Sequence, residues 1–513
     1  MILRFEYHLR VQKTFKTRIM KKVKLTCFNR CIFLLIIFIC FSIFTATADS
    51  ERTHNTNKEK EFKAGAATSN ITPALGGVIV GGWGSPEAEY IHDELHARCL
   101  VLDDGSTRLV FIVADLLGLH QYLTDEAKRI IFEETRIPPQ NVIISAIHTH
   151  SATSAMGEGD KRRQWNADGS LDDYQKFIVR RFADVVKIAI QNLEPAQIGW
   201  GAGSVPEHVF VRRWIMKEPV INPFGEYDKV MMNPGNANEN KSEPAGVPDP
   251  DVSFISVQSL EGKPIALLAN YSLHYVGGVP QGHISADYFA VFANRMKELL
   301  KADQQNIPFV GIMTNGTSGD VNNINYAAAP EKNQPYQKMN RVAEDVAREV
   351  FRALGSIRHQ PWVPLQGSGE MLKLAVRKPY SKMTERARAV LDKPETEKPL
   401  HRHEKIYANR LLYLLDWPDT IAVELQVFKI GDLGIASIPF ETFAETGLEI
   451  KAKSKMEQTF TIELANGYYG YLPTPRQHDL GGYETWLGTN MVEKEASVKI
   501  TDALLRMLSE TSN

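Results

Sequence analysis

The sequence predicts an α/β fold in which mixed β-sheets are flanked by helices. Residues 109–114 (LVFIVA) and 142–147 (VIISAI) are continuous runs of mainly apolar, β-rich residues, which is typical of strands buried on both faces. The segment between them has a helical pattern that Pro138 and Pro139 end. Strand, helix and strand in this order form a βαβ unit, so we expect part of the sheet to be parallel.

The remaining helices and strands are predicted from the same two kinds of pattern. Thr124 is expected to cap the first helix, with Asp125 and Glu126 favourably placed in its first turn. Apolar residues recur at helical spacing in segments 174–189, 286–301 and 337–354, the last capped by Gly355. Apolar β-rich runs predict further strands at residues 265–271, 308–313, 421–428, 433–438 and 459–464.

Two segments are predicted to lie outside these elements. Residues 217–250 are rich in Pro, Asn and Gly, and we interpret them as a long loop of the kind that often borders a functional site. Residues 379–403 are charged and contain proline, so we interpret them as an exposed insertion.

The N-terminal residues are predicted to be a targeting segment. Four Lys/Arg residues between positions 21 and 30 precede an apolar run at 31–44, and Ala-Thr-Ala follows, which is the pattern of a secretory signal. We therefore predict a signal peptide at residues 1–48, a flexible lead-in at 49–61 and one folded domain at 62–513. The protein is expected to be exported, to the periplasm or outside the cell. No stable membrane span should remain after cleavage, although an uncleaved signal anchor is the alternative.

The segment that remains after cleavage is acidic and has one cysteine. Residues 1–48 contain nine of the 59 Lys/Arg and one of the 61 Asp/Glu, so residues 49–513 carry 50 basic and 60 acidic groups, a net charge of −10. Such a charge excludes a general electrostatic attraction to nucleic acid. Three of the four cysteines lie in the signal, which leaves Cys99 without an internal disulfide partner.

Polar residues stand at the ends of four predicted strands. His148 follows 142–147, His274 follows 265–271, and Glu441 follows 433–438, while a Gly-rich loop at 315–320 follows 308–313. Ligands of open α/β sheets bind at the carboxyl ends of the strands, so these segments are candidates for one site. Each residue alone is equally compatible with a structural role, as a hydrogen-bonded core histidine or a glutamate that complements a helix dipole.

The sequence His148-Thr149-His150 has a further property. Alternation along an extended chain puts both imidazoles on one face, which suits either two metal ligands or one ligand with a supporting partner.

Seven stretches, in order, resemble the catalytic domain of the neutral/alkaline non-lysosomal ceramidases. They span residues 64–484 and read AGAATSNITP, HDELHARCLVLDDG, SAIHTHSATS, NYSLHYVGG, NGTSGDVNN, IPFETF and YYGYLPTPRQHDLGGYE. The resemblance implies an exported hydrolase of linear amide bonds with one Zn²⁺ per chain. The implied zinc ligands are His148, His274, Glu441 and Tyr471.

The resemblance also implies roles around the metal: His150 would support a metal ligand or face the substrate, and Tyr483 matches a further active-site tyrosine. We expect His150 to act as the acid/base for the leaving group. Arg212 matches an arginine that contacts the substrate, with Arg213 as a close rival. Zinc would supply hydroxide from bound water and polarise the carbonyl that it attacks. We expect Asn322 and Tyr483 to stabilise the oxyanion, and Asp320 to orient a histidine or the loop backbone.

Two departures from the family pattern count against ceramide as the substrate. The ceramidases carry a serine in a GDVSPN-like loop that is proposed to attack the amide, and Asn322 stands at that position here. An amide side chain cannot act as such a nucleophile. The ceramidases also continue into an immunoglobulin-like C-terminal domain, which we expect to be absent because this chain ends 30 residues after Tyr483.

Three functions therefore stay open. The first is a zinc hydrolase of N-acyl bonds in lipids or small molecules. The second is a zinc enzyme acting on glycans, as a deacetylase or glycan-cleaving enzyme, for which a groove of aromatic side chains would provide sugar stacking. The third is a catalytically silent binding protein. The candidate stacking residues are Trp83, Trp165, Trp214 and Trp486.

Overall fold

The structure is a computed structural model that describes residues 60–153, 155–157 and 171–510. The predicted signal peptide, the lead-in up to residue 59, and Trp165 lie outside the described residues. The described residues from Glu61 onward belong to one compact unit.

The chain contains groups of consecutive strands separated by helices. In chain order the strands are β1 (Lys63–Asn70), β2 (Ile79–Val80), β3 (Tyr90–Ile91), β4 (His96–Asp103), β5 (Arg108–Ala114), β6 (Val142–Ala146), β7 (Ala152–Thr153), β8 (Glu194–Ser204), β9 (Phe210–Val211), β10 (Arg213–Ile221), β11 (Tyr227–Met232), β12 (Lys241–Pro244), β13 (Asp251–Ser259), β14 (Pro264–Tyr271), β15 (His283–Ile284), β16 (Val310–Asn315), β17 (Val321–Asn322), β18 (Leu365–Ala375), β19 (Thr420–Ile430), β20 (Leu433–Ile438), β21 (Glu441–Thr442), β22 (Gln458–Glu463) and β23 (Tyr471–Leu472).

The helices follow the same numbering by chain order. They are α1 (Gln121–Thr135), α2 (Asp173–Gln191), α3 (Asp287–Leu299), α4 (Gln337–Leu354), α5 (Ser381–Leu391), α6 (Glu404–Leu415), α7 (Ala444–Lys453), α8 (Pro475–Leu480) and α9 (Ala496–Ser509). Within the described residues, no helix combines the length and apolar character needed to span a bilayer.

Two mixed sheets form the framework. The larger has the strand order β16–β14–β13–β8–β1–β4–β5–β6, and the smaller has the order β18–β19–β20–β22. The pairs β5–β6, β14–β16 and β20–β22 are parallel, whereas the other pairs recorded in these sheets are antiparallel. This confirms the predicted α/β class, including the βαβ unit β5–α1–β6.

The two sheets meet at the carboxyl end of β22. This strand contacts β14 and β16, and the next residue, Leu464, accepts a hydrogen bond from Ala146 at the end of β6. The carboxyl ends of β6, β14, β16 and β20 therefore converge, which brings the polar residues that follow these strands toward one place.

Two expectations about local structure were wrong. Helix α1 begins at Gln121, so Thr124 is not its cap and Asp125 and Glu126 lie beyond the first turn. Thr124 is buried, and its hydroxyl donates to the carbonyl oxygens of Gln121 (2.9 Å) and Asn466 (3.2 Å). Thr124 is therefore an internal residue of the helix and not its N-cap.

The second correction concerns the predicted loop. Much of segment 217–250 belongs to a three-stranded sheet in the order β11–β10–β12, because its Asn and Pro residues lie mainly in the turns between the strands. Segment 379–403 is mostly exposed, as expected, but it contains helix α5, whose Ala387 and Val390 are buried in the hydrophobic core beside the smaller sheet.

Candidate metal centre

His148 lies directly beyond β6 and is almost completely buried. Its backbone has a φ of +67°, a left-handed conformation that is costly for a non-glycine residue. Its Nδ1 lies 2.8 Å from the carbonyl oxygen of Leu117. A carbonyl only accepts, so Nδ1 carries the proton and Nε2 keeps a lone pair for a ligand bond.

His274 lies three residues beyond β14 and has the same arrangement. Its Nδ1 lies 3.2 Å from the carbonyl oxygen of Ser318 and donates to it. Ser318 is fixed in turn by Glu463, whose carboxyl group accepts from the Ser318 hydroxyl (2.7 Å) and backbone amide (3.2 Å). His274 therefore also presents Nε2 as its free nitrogen.

Glu441 faces both histidines. Its Oε2 lies 3.3 Å from His148 Nε2 and 3.7 Å from His274 Nε2, and it has no hydrogen-bond donor among the described residues. Its Oε1 accepts a hydrogen bond of 2.7 Å from the hydroxyl of Tyr468. One carboxylate oxygen of Glu441 is thus held by Tyr468, and the other faces the unprotonated Nε2 atoms of His148 and His274.

Tyr471 is placed by strand pairing. Strands β21 and β23 are parallel, with Glu441 directly opposite Tyr471. The guanidinium carbon of Arg212 lies 5.2 Å from the centre of the Tyr471 ring. Burial raises the pKa of Tyr471 well above its ordinary value, and the negative charge of Glu441 adds to this, while Arg212 opposes it.

His150 completes a cluster of three imidazoles. Its Nε2 lies 3.3 Å from His148 Nε2, and its ring stacks on Tyr275 with centroids 3.8 Å apart. Ligand nitrogens of His148, His150 and His274 all lie within 4.8 Å of one another. Burial, and then the charges of His148 and Arg212, lower the pKa of His150 well below its ordinary value.

The donor set suits a zinc ion. Imidazole nitrogens and one carboxylate oxygen are typical ligands of catalytic zinc. Backbone carbonyls hold the Nδ1 atoms of His148 and His274, which is the usual outer support of a zinc-bound histidine. The buried Glu441 Oε2, which has no hydrogen-bond donor in the described part of the chain, is the atom that a cation would stabilise.

The two candidate arginines differ in their surroundings. Both are buried and share Glu484, with Arg212 Nε at 2.9 Å and Arg213 Nη1 at 2.6 Å from its two carboxylate oxygens. Arg213 also donates to Gln477 and to the Gly481 carbonyl. Arg212 instead faces His274, with Nη1 3.5 Å from His274 Nε2, and its buried Nη2 has no hydrogen-bond partner in the described residues.

Asn322 lies in β17, which pairs with β9 next to Arg212. Its amide donates to the Asn233 side chain (2.9 Å) and accepts from the Ile324 backbone amide (2.9 Å). The side chain is therefore held by the protein at both ends. Asn322 does not line the cavity described below.

Asp320 is fully buried in the same loop. Its Oδ1 accepts a hydrogen bond of 2.9 Å from the Ala444 amide at the start of α7, a contact with backbone rather than with a histidine. Burial raises the pKa of Asp320 to about 6, partly offset by that hydrogen bond and by Arg213.

A cavity of about 220 Å³ opens beside the cluster. Five residues predicted from the sequence line it, namely His148, His150, Glu441, Tyr471 and Tyr483. Burial raises the pKa of Tyr483 to about 12, although Arg410 opposes the shift, so its hydroxyl keeps its proton at neutral pH.

Sequence reasoning missed several residues of this site. They are Tyr468, Tyr275, Glu463 and Arg410, of which Tyr468 and Arg410 line the cavity. The family-like motif stretches contain Tyr468, Tyr275 and part of the Ser318 loop, so closeness in sequence to a candidate ligand was the signal that could have identified them. Arg410 lies in a helix outside those stretches, so no sequence signal pointed to it.

The candidate tryptophans are placed differently from one another. Trp83 is half exposed and stacks on His403 with centroids 3.6 Å apart, 5.9 Å from the ring of Tyr483. Trp486 also packs against Tyr483, at 5.8 Å, and donates to Asp228. Trp214 is buried in β10 and offers no stacking surface.

Comparisons with known proteins identify one family and similar solved structures. The model of the family described as neutral/alkaline non-lysosomal ceramidase, N-terminal, matches residues 62–360. The neutral ceramidase from Pseudomonas aeruginosa is similar in structure, with a TM-score of 0.66 and 16% identity over 89% of this chain and 76% of that chain. A ceramidase described as complexed with C2 gives a TM-score of 0.63 and 14% identity, over 89% and 77% of the two chains.

Proposed function

Because this chain belongs to the neutral/alkaline non-lysosomal ceramidase family, we propose that it is a zinc-dependent hydrolase that cleaves an N-acyl amide bond with water. The orientation of three side chains carries the proposal. His148 and His274 present their Nε2 atoms to the one carboxylate oxygen of Glu441 that lacks a donor. Export, predicted from residues 1–48, is part of the same proposal.

The residues that would hold the metal are His148, His274, Glu441 and Tyr471. When bound, zinc lowers the pKa of a water ligand to about 7 and polarises a carbonyl oxygen. Tyr468 keeps Glu441 in its orientation through the hydrogen bond to Oε1. Leu117 and the Ser318 carbonyl do the same for the two histidines.

The neighbouring side chains supply protons and hydrogen bonds. His150, stacked on Tyr275 beside His148, is placed to take up the proton that the attacking water loses and to pass it to the amide nitrogen, which leaves as the amine. Tyr483 keeps its hydroxyl proton and is placed to donate it in a hydrogen bond to the carbonyl oxygen. Arg212 keeps one buried donor, Nη2, without a hydrogen-bond partner among the described residues, whereas Arg213 is occupied by Gln477, Gly481 and Glu484.

Asn322 has a different role in this proposal from the serine of the ceramidases. Its amide links Asn233 to the loop that carries Asp320, and it holds that loop against the strand next to Arg212. No protein nucleophile is needed, because water attacks the carbonyl carbon and the products are a carboxylic acid and an amine.

The test measures hydrolysis by the zinc-loaded protein. Wild type and Asn322→Ser would be assayed with ceramide, with short-chain N-acyl amines and with N-acetylated oligosaccharides, with His150→Ala as a zinc-retaining control. We expect wild type to cleave an N-acyl amine and His150→Ala to lose at least about 100-fold in kcat. Zinc-loaded wild type that cleaves none of these amides would contradict the proposal.

A glycan substrate is the second candidate, and the position of Trp83 favours it. This half-exposed ring lies next to Tyr483 at the cavity, where an aromatic face can stack on a sugar. If the substrate is a glycan, Trp83→Ala should raise KM for N-acetylated oligosaccharides and leave short N-acyl amines unaffected. Equal effects on both substrate classes would speak against it.

A further inference from the structure

One face of helix α6 forms a wall of the cavity beside the histidine cluster. Arg410, Tyr413 and Leu414 line it, and Trp417 follows just beyond the helix end. Their spacing of three, four and seven residues places them on the same helical face. Met491 lines the cavity as well. The wall therefore combines one cation with a mainly apolar surface.

Arg410 has only weak, neutral partners in this wall. Its Nη1 lies 3.3 Å from the Tyr407 hydroxyl, 3.4 Å from the Gly488 carbonyl oxygen and 3.4 Å from Thr489 Oγ1. The guanidinium carbon lies 4.9 Å from the centre of the Tyr407 ring. Among the described residues, no Asp or Glu oxygen forms an ion pair with Arg410 within 4 Å. A half-buried arginine normally has an acidic partner.

Among the described residues, the carboxylates near the cavity already have partners. Both oxygens of Glu484 are taken by Arg212 and Arg213, and Glu441 faces the histidine nitrogens. Among the described residues that line the cavity, Glu441 is the one acidic side chain and is a proposed metal ligand, so Arg410 contributes a positive charge without an acidic partner there. Such a cavity favours an anionic ligand over a neutral one.

We propose that Arg410 is an anion-binding subsite that binds a carboxylate on the amine half of the substrate. The substrate class is then an N-acyl amino acid or a similar N-acylated amine with a carboxylate, rather than a neutral ceramide. Guanidinium groups match planar carboxylates through paired hydrogen bonds. Leu414, Trp417 and Met491 provide the surface for a short acyl group, in keeping with a cavity of about 220 Å³. This inference rests on the proposed function, since it concerns the same cavity.

The test is a binding measurement that does not depend on turnover. N-(hexylsulfonyl)glycine, whose sulfonamide resists hydrolysis, and its neutral methylamide would be titrated into the zinc-loaded protein by calorimetry. We expect the acid to bind about 10- to 100-fold more tightly than the methylamide. Equal affinity of the two compounds, or no binding of either, would overturn the inference.

Variants of Arg410 test whether this residue causes the preference for the acid over the methylamide. Arg410→Gln should remove the preference by weakening binding of the acid alone, and Arg410→Lys should keep part of it. Arg388→Gln is the matched control, because this exposed arginine of the neighbouring helix α5 does not line the cavity. A preference that survives in Arg410→Gln would overturn the assignment. Selective binding of the acid without hydrolysis of any N-acyl amide would refute the proposed function while leaving the subsite intact.

Discussion

The carboxyl group of Glu463 lies behind the histidine cluster and is completely buried. It accepts hydrogen bonds from the Ser318 amide and hydroxyl and from the Thr442 amide, the last at 2.7 Å. Ser318 supports His274, and Thr442 follows Glu441 directly. One side chain therefore joins the two chain segments that present two of the proposed zinc ligands.

Replacement of Glu463 is expected to weaken zinc binding without removing a ligand. Loss of an outer support typically costs about 10- to 100-fold in metal affinity, and we expect Glu463→Ala to fall in this range. Glu463→Gln should be intermediate, since an amide oxygen can still accept from the two backbone amides. Zinc affinity would be measured by competition with a chromophoric chelator.

The control for that experiment is Glu424→Gln. Glu424 is another largely buried glutamate, which lies in β19 and pairs with Lys128 of α1 at 2.7 Å. This variant should lose stability but keep its zinc affinity. If Glu463→Ala bound zinc as tightly as wild type, the role of Glu463 as a support would be refuted.

The sequence allowed some of these side chains to be anticipated and not others. His148, His274 and Glu441 follow apolar strands, and strand ends in an α/β sheet are places where function is expected. Tyr468 and Arg410 gave no comparable signal, because a tyrosine or arginine acquires its role from neighbours that only the folded chain provides. The support of His148 by Leu117 is a backbone contact, which no residue type reveals.

Strands β21 and β23 are only two residues long each, yet they place Glu441 opposite Tyr471. Gly470 precedes Tyr471, and its carbonyl oxygen accepts from the Glu441 amide at 2.9 Å. Its φ is +79°, and a Cβ at this position would lie 2.4 Å from the Thr489 carbonyl oxygen. A side chain at residue 470 is thus excluded by both conformation and space.

Gly470→Ala should therefore lower both stability and zinc affinity. We expect a loss of at least about 3 kcal/mol in the free energy of unfolding, measured by urea denaturation, because strain and a backbone clash act together. Gly262→Ala separates the two effects, since Gly262 has a φ of +87° but no atom within 4 Å of the added Cβ. That control should cost about 1 kcal/mol and leave zinc affinity unchanged. Equal losses in the two variants would contradict this explanation.

The strength of the apolar pattern separates the elements that the sequence predicted from those that it did not predict. Strand β5 and helix α4 have strong apolar patterns, and both were found within about two residues of the predicted bounds. The sheet β11–β10–β12 was missed because β12 is polar and the other two strands mix apolar with charged residues. The strands are also partly exposed, with Tyr227 at 71% exposure, so neither a continuous apolar run nor a regular alternation marks them. Such strands are stabilised by pairing rather than by burial of one face.

The site joins distant parts of the chain. His148 follows the larger sheet at one edge, His274 follows it near the other, and Glu441 follows the smaller sheet. A metal held by all three would bind the folded state and not the unfolded chain, so it would stabilise the fold by linkage. The size of the effect depends only on the zinc concentration relative to the dissociation constant.

Removal of zinc is accordingly expected to destabilise the whole domain. At free zinc 1,000-fold above the dissociation constant, the contribution is about 4 kcal/mol, and a chelator should remove all of it. Urea denaturation with and without chelator measures this difference. His274→Ala serves as the control, because a protein that cannot bind the metal should not respond to the chelator. An unchanged unfolding free energy in wild type would contradict the linkage.

The most direct test of the account is the zinc content of the purified protein and of two histidine variants, measured by atomic emission. We predict one zinc per chain in wild type and in His208→Ala, whose buried histidine pairs with Asp345 away from the cluster. His274→Ala should contain less than about a tenth of this amount, since it lacks one of the proposed ligands. One zinc per chain retained in His274→Ala, or none in wild type, would contradict the assignment of the metal centre.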